Sequence, residues 1–432
     1  MMAPRWAWMG SFAVLVTSAI MFYYSVVAGW TFRFAAAALM GELPEARPGA
    51  FWSSYSTSWT PALTHAIAIG FAVFVVARGV RFIERVAKIL MPALIVLILV
   101  LTVRAVTLPG ASEGLDYLFS VDWTALGRAE LWIEALTQNA WDTGAGWGLV
   151  LCYAAYLPER EDTVQNAFIL PTANNLISLT AGIMVLCTVF SVVPGLVATM
   201  ESDPEALAAL AEAVRSGTEL SPELLRTTIF AEDNEGLTFV WMPQLFSTLP
   251  LGGALMALFF VALSFAAITS LITMAELATR AFVDAGIPRV RAVRFVGIGA
   301  FLLGLPSVIW MPFLRNQDWV WGVALMLTGL FFAIAVIANG VRRFREEHLN
   351  HEHSKMRVGA WWELVIAVLV PIQAVVLFIW WLVQAREWDD AWLDPFRPTN
   401  VGTVLCQIGL ALVVLIALNR WIARRSVGDA PQ

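Results

Sequence analysis

Residues Trp141 to Gly148 read Trp-Asp-Thr-Gly-Ala-Gly-Trp-Gly, inside an apolar segment long enough to cross a bilayer. Three glycines in five positions, Gly144, Gly146 and Gly148, unwind a helix, because glycine gives up the most backbone entropy on ordering. An ionised aspartate at the membrane centre costs about 2.5–3.5 kcal/mol on insertion scales. Hydrocarbon does not tolerate the main-chain groups that such a break unpairs. Asp142 and the unwound backbone are therefore expected to face a polar cavity at the midplane, as in the ion and substrate sites of secondary transporters. The alternative is a kinked helix holding a packed, protonated Asp142.

Composition agrees with a membrane location. Of 432 residues, 59% are hydrophobic and 14% charged, with mean hydropathy +0.72, where soluble domains carry about 25% charge. An all-α polytopic protein embedded in a lipid bilayer is the expectation. Its 20 tryptophans suit the aromatic belts at the two interfaces. Cys152, Cys187 and Cys406 lie in apolar stretches, which suggests neither a disulfide framework nor a thiolate metal site. His348, His351 and His353 sit in a charged loop and read as solvated rather than metal-binding. The net charge of −6 comes largely from one acidic loop and does not argue for a nucleic-acid partner. The first apolar run is too long, and lacks a small-residue cleavage site, for a removable signal.

Runs of about 20 apolar residues predict ten spans, near 10–40, 62–78, 84–107, 131–157, 164–195, 250–283, 292–313, 319–341, 360–385 and 399–423. Basic residues gather in alternate connections: Arg78, Arg81, Arg85 and Lys88; Arg280, Arg289, Arg291 and Arg294; Arg342, Arg343, Arg345, Lys355 and Arg357; Arg420, Arg424 and Arg425. The positive-inside rule places these in the cytoplasm, with both termini on that side of the cell (inner) membrane. The connection from 196 to 249 is long and acidic; a lid over an outward-facing cavity and a solvated insertion both fit it.

At this point the residues become recognisable. Phe22-Tyr23-Tyr24 with Gly29-Trp30-Thr31, the run from Arg78 to Lys88 containing Glu84 and Arg85, Gln138 to Gly148 with Tyr153 and Tyr156, Asn174, and Ala266 to Ser270 carry a resemblance. The chain resembles the neurotransmitter:sodium symporter family, sodium-coupled transporters with the bacterial leucine-transporter fold. The resemblance implies two inverted five-helix repeats followed by two helices. The ten spans correspond to the third through twelfth family helices, in a single transmembrane domain over residues 1–432. The broken helix should have a mate two spans before Met1, so the expectation is a chain recorded without its first two helices.

The resemblance also implies roles. Ile20, Tyr24, Val27, Trp141, Gly144, Trp147, Ser270 and Met274 match the substrate pocket, with Tyr24 at the substrate carboxylate and Trp141 as aromatic lid. Sodium, a hard cation that takes oxygen ligands, would be held by Asp142, Asn174, Ala266, Thr269 and Ser270. Asp142 departs from the family's threonine. Ser178, beside Gln138, stands where chloride-independent relatives carry a glutamate, so Asp142 is expected to supply the fixed negative charge and make chloride unnecessary. Tyr153, Tyr156 and Asp284 match the inner gate and Asp318 the outer gate, with both cationic partners expected outside this sequence.

The implied function is sodium-coupled symport of an amino acid, apolar or aromatic. The alternative is a truncated, non-transporting or partner-dependent membrane protein holding half of the site. No His-Glu-x-x-His or Gly-x-Ser-x-Gly motif supports an enzyme. The tryptophan-rich stretch 380–393 offers an anchor for a second copy, as in a homodimer.

Overall fold

Helix α1 (Ala7–Met40) is apolar on every face and lies in the middle of the molecule, with Phe12, Val16, Ile20, Val26 and Phe34 fully buried. Its 34 residues exceed the roughly 20 needed to cross a bilayer, so it tilts or projects. It stops at Gly41, which takes φ +70°, and the Gly41 and Glu42 amides turn back to the carbonyls of Ala38 and Ala37, a left-handed cap that glycine accepts without strain. The computed structural model describes residues 4–43, 48–127, 131, 132, 135, 138, 139, 142–157, 161–201, 234–352, 354–388 and 391–426, and its regular elements are all helical.

After α2 (Pro48–Ser56), α3 (Thr60–Ala77) starts with Pro61 in its first turn, where a missing amide does no harm. It crosses α1 so closely that a Cβ on Gly29 would stand 2.7 Å from the His65 nitrogen. Gly79, at φ +83°, makes the corner into α4 (Val80–Val106). There follow α5 (Ala111–Phe119), the short α6 (Leu149–Ala154), α7 (Thr163–Glu201), α8 (Met242–Ser247), α9 (Gly252–Asp284), α10 (Arg289–Ile309) and α11 (Met311–Ala338). A span over Trp361–Val383 leads into α12 (Val370–Trp388), then α13 (Val401–Ala417) and α14 (Asn419–Ser426).

Helices α1 and α9 form the centre, enclosed by α3, α10 and α11. Burial falls outward: 67% of the most apolar window of the first span lies inside the protein, against 11% for α4. The outer face of α4, with Ile89, Val96 and Val103 exposed, is one that only lipid would cover at no cost.

Eight described helices are long and apolar enough to span a membrane, and a ninth is the pair α13–α14, bent by 60°. The tenth expected span, 131–157, is not one helix: its described residues are helical up to Thr143, turn through Gly144–Gly146, and resume in α6. The expected loop 196–249 begins later than anticipated, because α7 continues to Glu201; residues 202–233 lie outside the described part. Its far end is packed. Phe239 is 3% exposed and stacks on Trp52 of α2 at 5.1 Å, with the Phe34 ring of α1 at 4.9 Å, aromatic contacts that seat this segment on the C-terminal end of α1.

Helix α13 is capped by Asn400, which accepts the Thr403 amide at 3.2 Å. It is tied to α11 through Asn316. That amide donates to the Pro398 carbonyl (2.6 Å) and the Thr403 hydroxyl (3.1 Å), and accepts from Gln407 (2.9 Å) and Gln317 (3.0 Å).

Candidate substrate and sodium site

The three glycines of the broken helix all take left-handed conformations, with φ of +73° at Gly144, +85° at Gly146 and +75° at Gly148. This conformation is disfavoured for residues with a Cβ. Gly146 is also needed for space, since a Cβ there would lie 2.5 Å from the Leu325 carbonyl oxygen of α11. The expectation that the unwound carbonyls face a cavity is corrected for its C-terminal half. The Gly146 carbonyl accepts the Thr328 hydroxyl and the Trp147 carbonyl accepts the Thr17 hydroxyl, each at 2.6 Å. Both threonines are fully buried. An amide from Trp147 closes a turn on the Gly144 carbonyl at 3.3 Å, and Cys152 continues the helix from Gly148.

The N-terminal half meets α7. Ser178 donates to the Asp142 carboxylate at 2.8 Å, so the residue expected to supply the fixed charge touches the serine at the position where other relatives carry a glutamate. One turn away, the buried amide nitrogen of Asn174 has no hydrogen-bond partner among the described residues, an unmet donor that costs about 1–3 kcal/mol. Trp141 lies outside the described residues. Gln138 is helical and exposed.

Helix α9 brings the other expected ligands. Thr269 donates to the carbonyls of Ala266 (2.9 Å) and Phe265 (3.0 Å) of its own helix, a common habit of threonine. This uses the hydroxyl proton and leaves oxygen lone pairs, which are what a cation takes. Tyr24 of α1 is half-buried and its phenol lies beside Ser270. Ile20 and Met274 are buried, Trp147 is 6% exposed, and Val27 packs on the same core. α1, the break and α9 thus enclose the pocket residues, with α7 beside Asp142.

Below Thr269 a cavity of about 590 Å³ opens between α4, α6 and α9, bounded by Thr269, Thr273, Tyr153, Tyr156, Ile83 and Glu84. It joins an expected sodium ligand to the expected inner gate. There Tyr153 donates to Thr273 (3.2 Å) and Tyr156 to Glu276 (2.8 Å). Glu276 is fully buried and paired through both oxygens with Arg289, at 2.6 and 3.0 Å. Arg289 also donates to the Val76 carbonyl of α3 at 2.9 Å. Asp284 was expected to find its cation outside this sequence; instead it pairs with Arg280, one turn back, at 2.7 Å, the spacing at which helical side chains meet. The guanidinium of Arg280 lies 5.3 Å over the Tyr156 ring. A further carboxylate sits at this end. Asp162 caps α7 by accepting the Gln165 amide at 3.0 Å, and it also accepts the amides of Lys355 and Met356 from the loop before residue 361. These main-chain donors hold its carboxyl below the ordinary carboxylate range.

At the opposite end Asp318 is exposed to the groove and faces Tyr23 of α1, and no ion pair closes on it among the described residues. Nearby, Arg315 reaches Glu235 of the packed outer segment at 3.7 Å.

A family model described as the Sodium:neurotransmitter symporter family matches residues 54–424. The chain belongs to this family. Its members are sodium-dependent transporters, not enzymes, and with its apolar helices this chain is a multi-pass membrane protein of that kind. A sodium-dependent transporter of Methanocaldococcus jannaschii is 27% identical over 434 residues, covering 96% of this chain and 81% of the relative. A human sodium- and chloride-dependent neutral and basic amino acid transporter is 25% identical over 338 residues, 74% of this chain and 47% of the relative. The chain is also similar to the crystal structure of MhsT in complex with L-phenylalanine, with a TM-score of 0.67, 26% identity, and coverage of 87% of this chain and 81% of that one. This agrees with the leucine-transporter-type architecture expected of the chain.

Proposed function

We propose that this family member moves an apolar or aromatic amino acid across the cell membrane together with sodium, by alternating access. The observation that carries the reading is the set of side chains that α1, α9 and the break bring together. Tyr24 and Ser270 supply hydroxyls, Asp142 a carboxylate, and Ile20, Met274 and Trp147 a large apolar wall. A carboxylate and hydroxyl oxygens suit a hard monovalent cation, while buried aromatic and aliphatic side chains suit an apolar substrate. The human relative is an amino acid transporter, and MhsT was crystallised in complex with L-phenylalanine.

Sodium would be held by Asp142, the Asn174 side-chain oxygen, the Ala266 carbonyl, and the hydroxyls of Thr269 and Ser270. The hydrogen bond from Ser178 to Asp142 puts an acidic side chain beside the serine where other members would recruit an anion, so we infer that chloride is not required. The arginine-rich connections support cytoplasmic termini.

The test is uptake of labelled amino acids into proteoliposomes containing this chain, with and without an inward sodium gradient. Sodium-driven, chloride-independent uptake of an apolar amino acid supports the reading, and Asp142→Asn should then raise the sodium concentration for half-maximal uptake at least tenfold, about 1.4 kcal/mol. No uptake under any gradient would favour a partner-dependent or non-transporting protein.

A further inference from the structure

The sequence spends three glycines on opening the helix, yet two of the opened carbonyls are occupied by the protein itself. We propose that Thr17 and Thr328 are positioning residues that clamp the carbonyls of Trp147 and Gly146, and so confine the free part of the break to residues 142–145. The inference rests on the transport reading for its consequence, and on geometry alone for the clamp.

Two helices converge on adjacent carbonyls. Thr17 is on α1 and Thr328 on α11, each hydroxyl is 2.6 Å from its acceptor, and both side chains are fully buried. The Thr17 hydroxyl makes no bond to its own helix among those described, whereas its neighbour Ser18 bonds the Val14 carbonyl. Thr17 therefore commits its one proton to the break. Thr328 divides its proton between Gly146 and the Leu325 carbonyl at 2.8 Å, which makes it the weaker clamp. Gly146 lies against α11 because it lacks a Cβ, which brings its carbonyl within reach of Thr328.

With these two carbonyls taken, and the Gly144 carbonyl accepting the Trp147 amide, the oxygens left for a cation or substrate lie N-terminal to Gly146, the Asp142 carboxylate first among them. The break is thereby divided into a fixed half and a serviceable half. Without the clamps, two buried carbonyls would seek other donors by rotating the glycine peptides, and Trp147 and Asp142 would lose their fixed separation.

The experiment compares the wild-type full chain with Thr17→Val and Thr328→Val, which keep the volume and remove the donor, and with the serine variants, which restore it. Amide hydrogen exchange across residues 142–152 should accelerate roughly tenfold in Thr17→Val and less in Thr328→Val, corresponding to about 1.4 kcal/mol or below. Both serine variants should exchange like wild type. Where uptake is measured, half-saturating substrate should rise with little change in maximal rate. The cysteine variants, weak donors of nearly the same size, should fall between valine and wild type and carry the test if a valine variant does not fold. Unchanged exchange in the valine variants, acceleration spread evenly over the chain, or no rescue by serine would each overturn the clamp. Absence of uptake by wild type would overturn the transport reading while the exchange result still judges the clamp.

Discussion

The two ends of the candidate pathway are closed by different chemistry. At the inner end Glu276 is sealed from water and held by both nitrogens of Arg289 and by the Tyr156 phenol. At the opposite end Asp318 is exposed, faces a phenol, and meets no cation among the described residues, while the nearest ion pair, Arg315–Glu235, is 3.7 Å long with its arginine 48% exposed. A buried pair is strongly destabilising to break because the survivor is stranded; an exposed one hardly matters. The contrast implies that the Glu276 end is held together by a buried ion pair and the Asp318 end chiefly by aromatic packing.

The strongest way to break the comparison is Glu276→Gln, which strands Arg289 among α3, α9 and α10. A loss of about 3 kcal/mol is expected, read as a lowered midpoint of thermal unfolding in detergent, with much of it recovered in Glu276→Leu/Arg289→Met. If the single variant unfolds like wild type, the inner end is not locked by charge. Tyr156→Phe removes a hydrogen bond to the same carboxylate, and should cost about 1.5 kcal/mol by the same measurement while raising any leak of sodium through the inner cavity.

Asp162 gives a pH test. Its carboxyl is held below the ordinary value of 3.8 by the Gln165, Met356 and Lys355 amides. A lowered folded value means its contribution is fully present above 3.8 and disappears as pH falls through the folded value. Stability measured downward from pH 5 should therefore decline less steeply in Asp162→Asn, which is already without the charge. The smallest effects belong outside: Arg315→Gln and Asp318→Asn should each change stability by no more than about 0.5 kcal/mol. A large loss from either would mean the outer end is also charge-locked.

How far the sequence reveals this depends on the distance over which each feature is encoded. The break was legible because three glycines in five residues and an aspartate in an apolar run are local signals, and all three glycines take positive φ. Tyr24 and Ser270 were legible through resemblance, and they lie side by side. Thr17 and Thr328 were not, because each acts on a carbonyl 130 or 182 positions away and a threonine in an apolar helix carries no mark of its target. Glu276 was available as a lone acid within a long apolar helix, a pattern that signals function, but its partner Arg289 lies across a turn. Asp284 also has a cation within the sequence, since Arg280 four residues back pairs with it.

The Asn316 side chain has a further consequence. Its amide is engaged on four sides by Pro398, Thr403, Gln407 and Gln317, and Asp318 follows it by two positions on α11. Turning α11 by a single residue, about 100°, would break the three bonds that leave the helix, to Pro398, Thr403 and Gln407, together. Asp318 is thus mounted on an anvil, and any closure at that end comes from the wall that swings onto it.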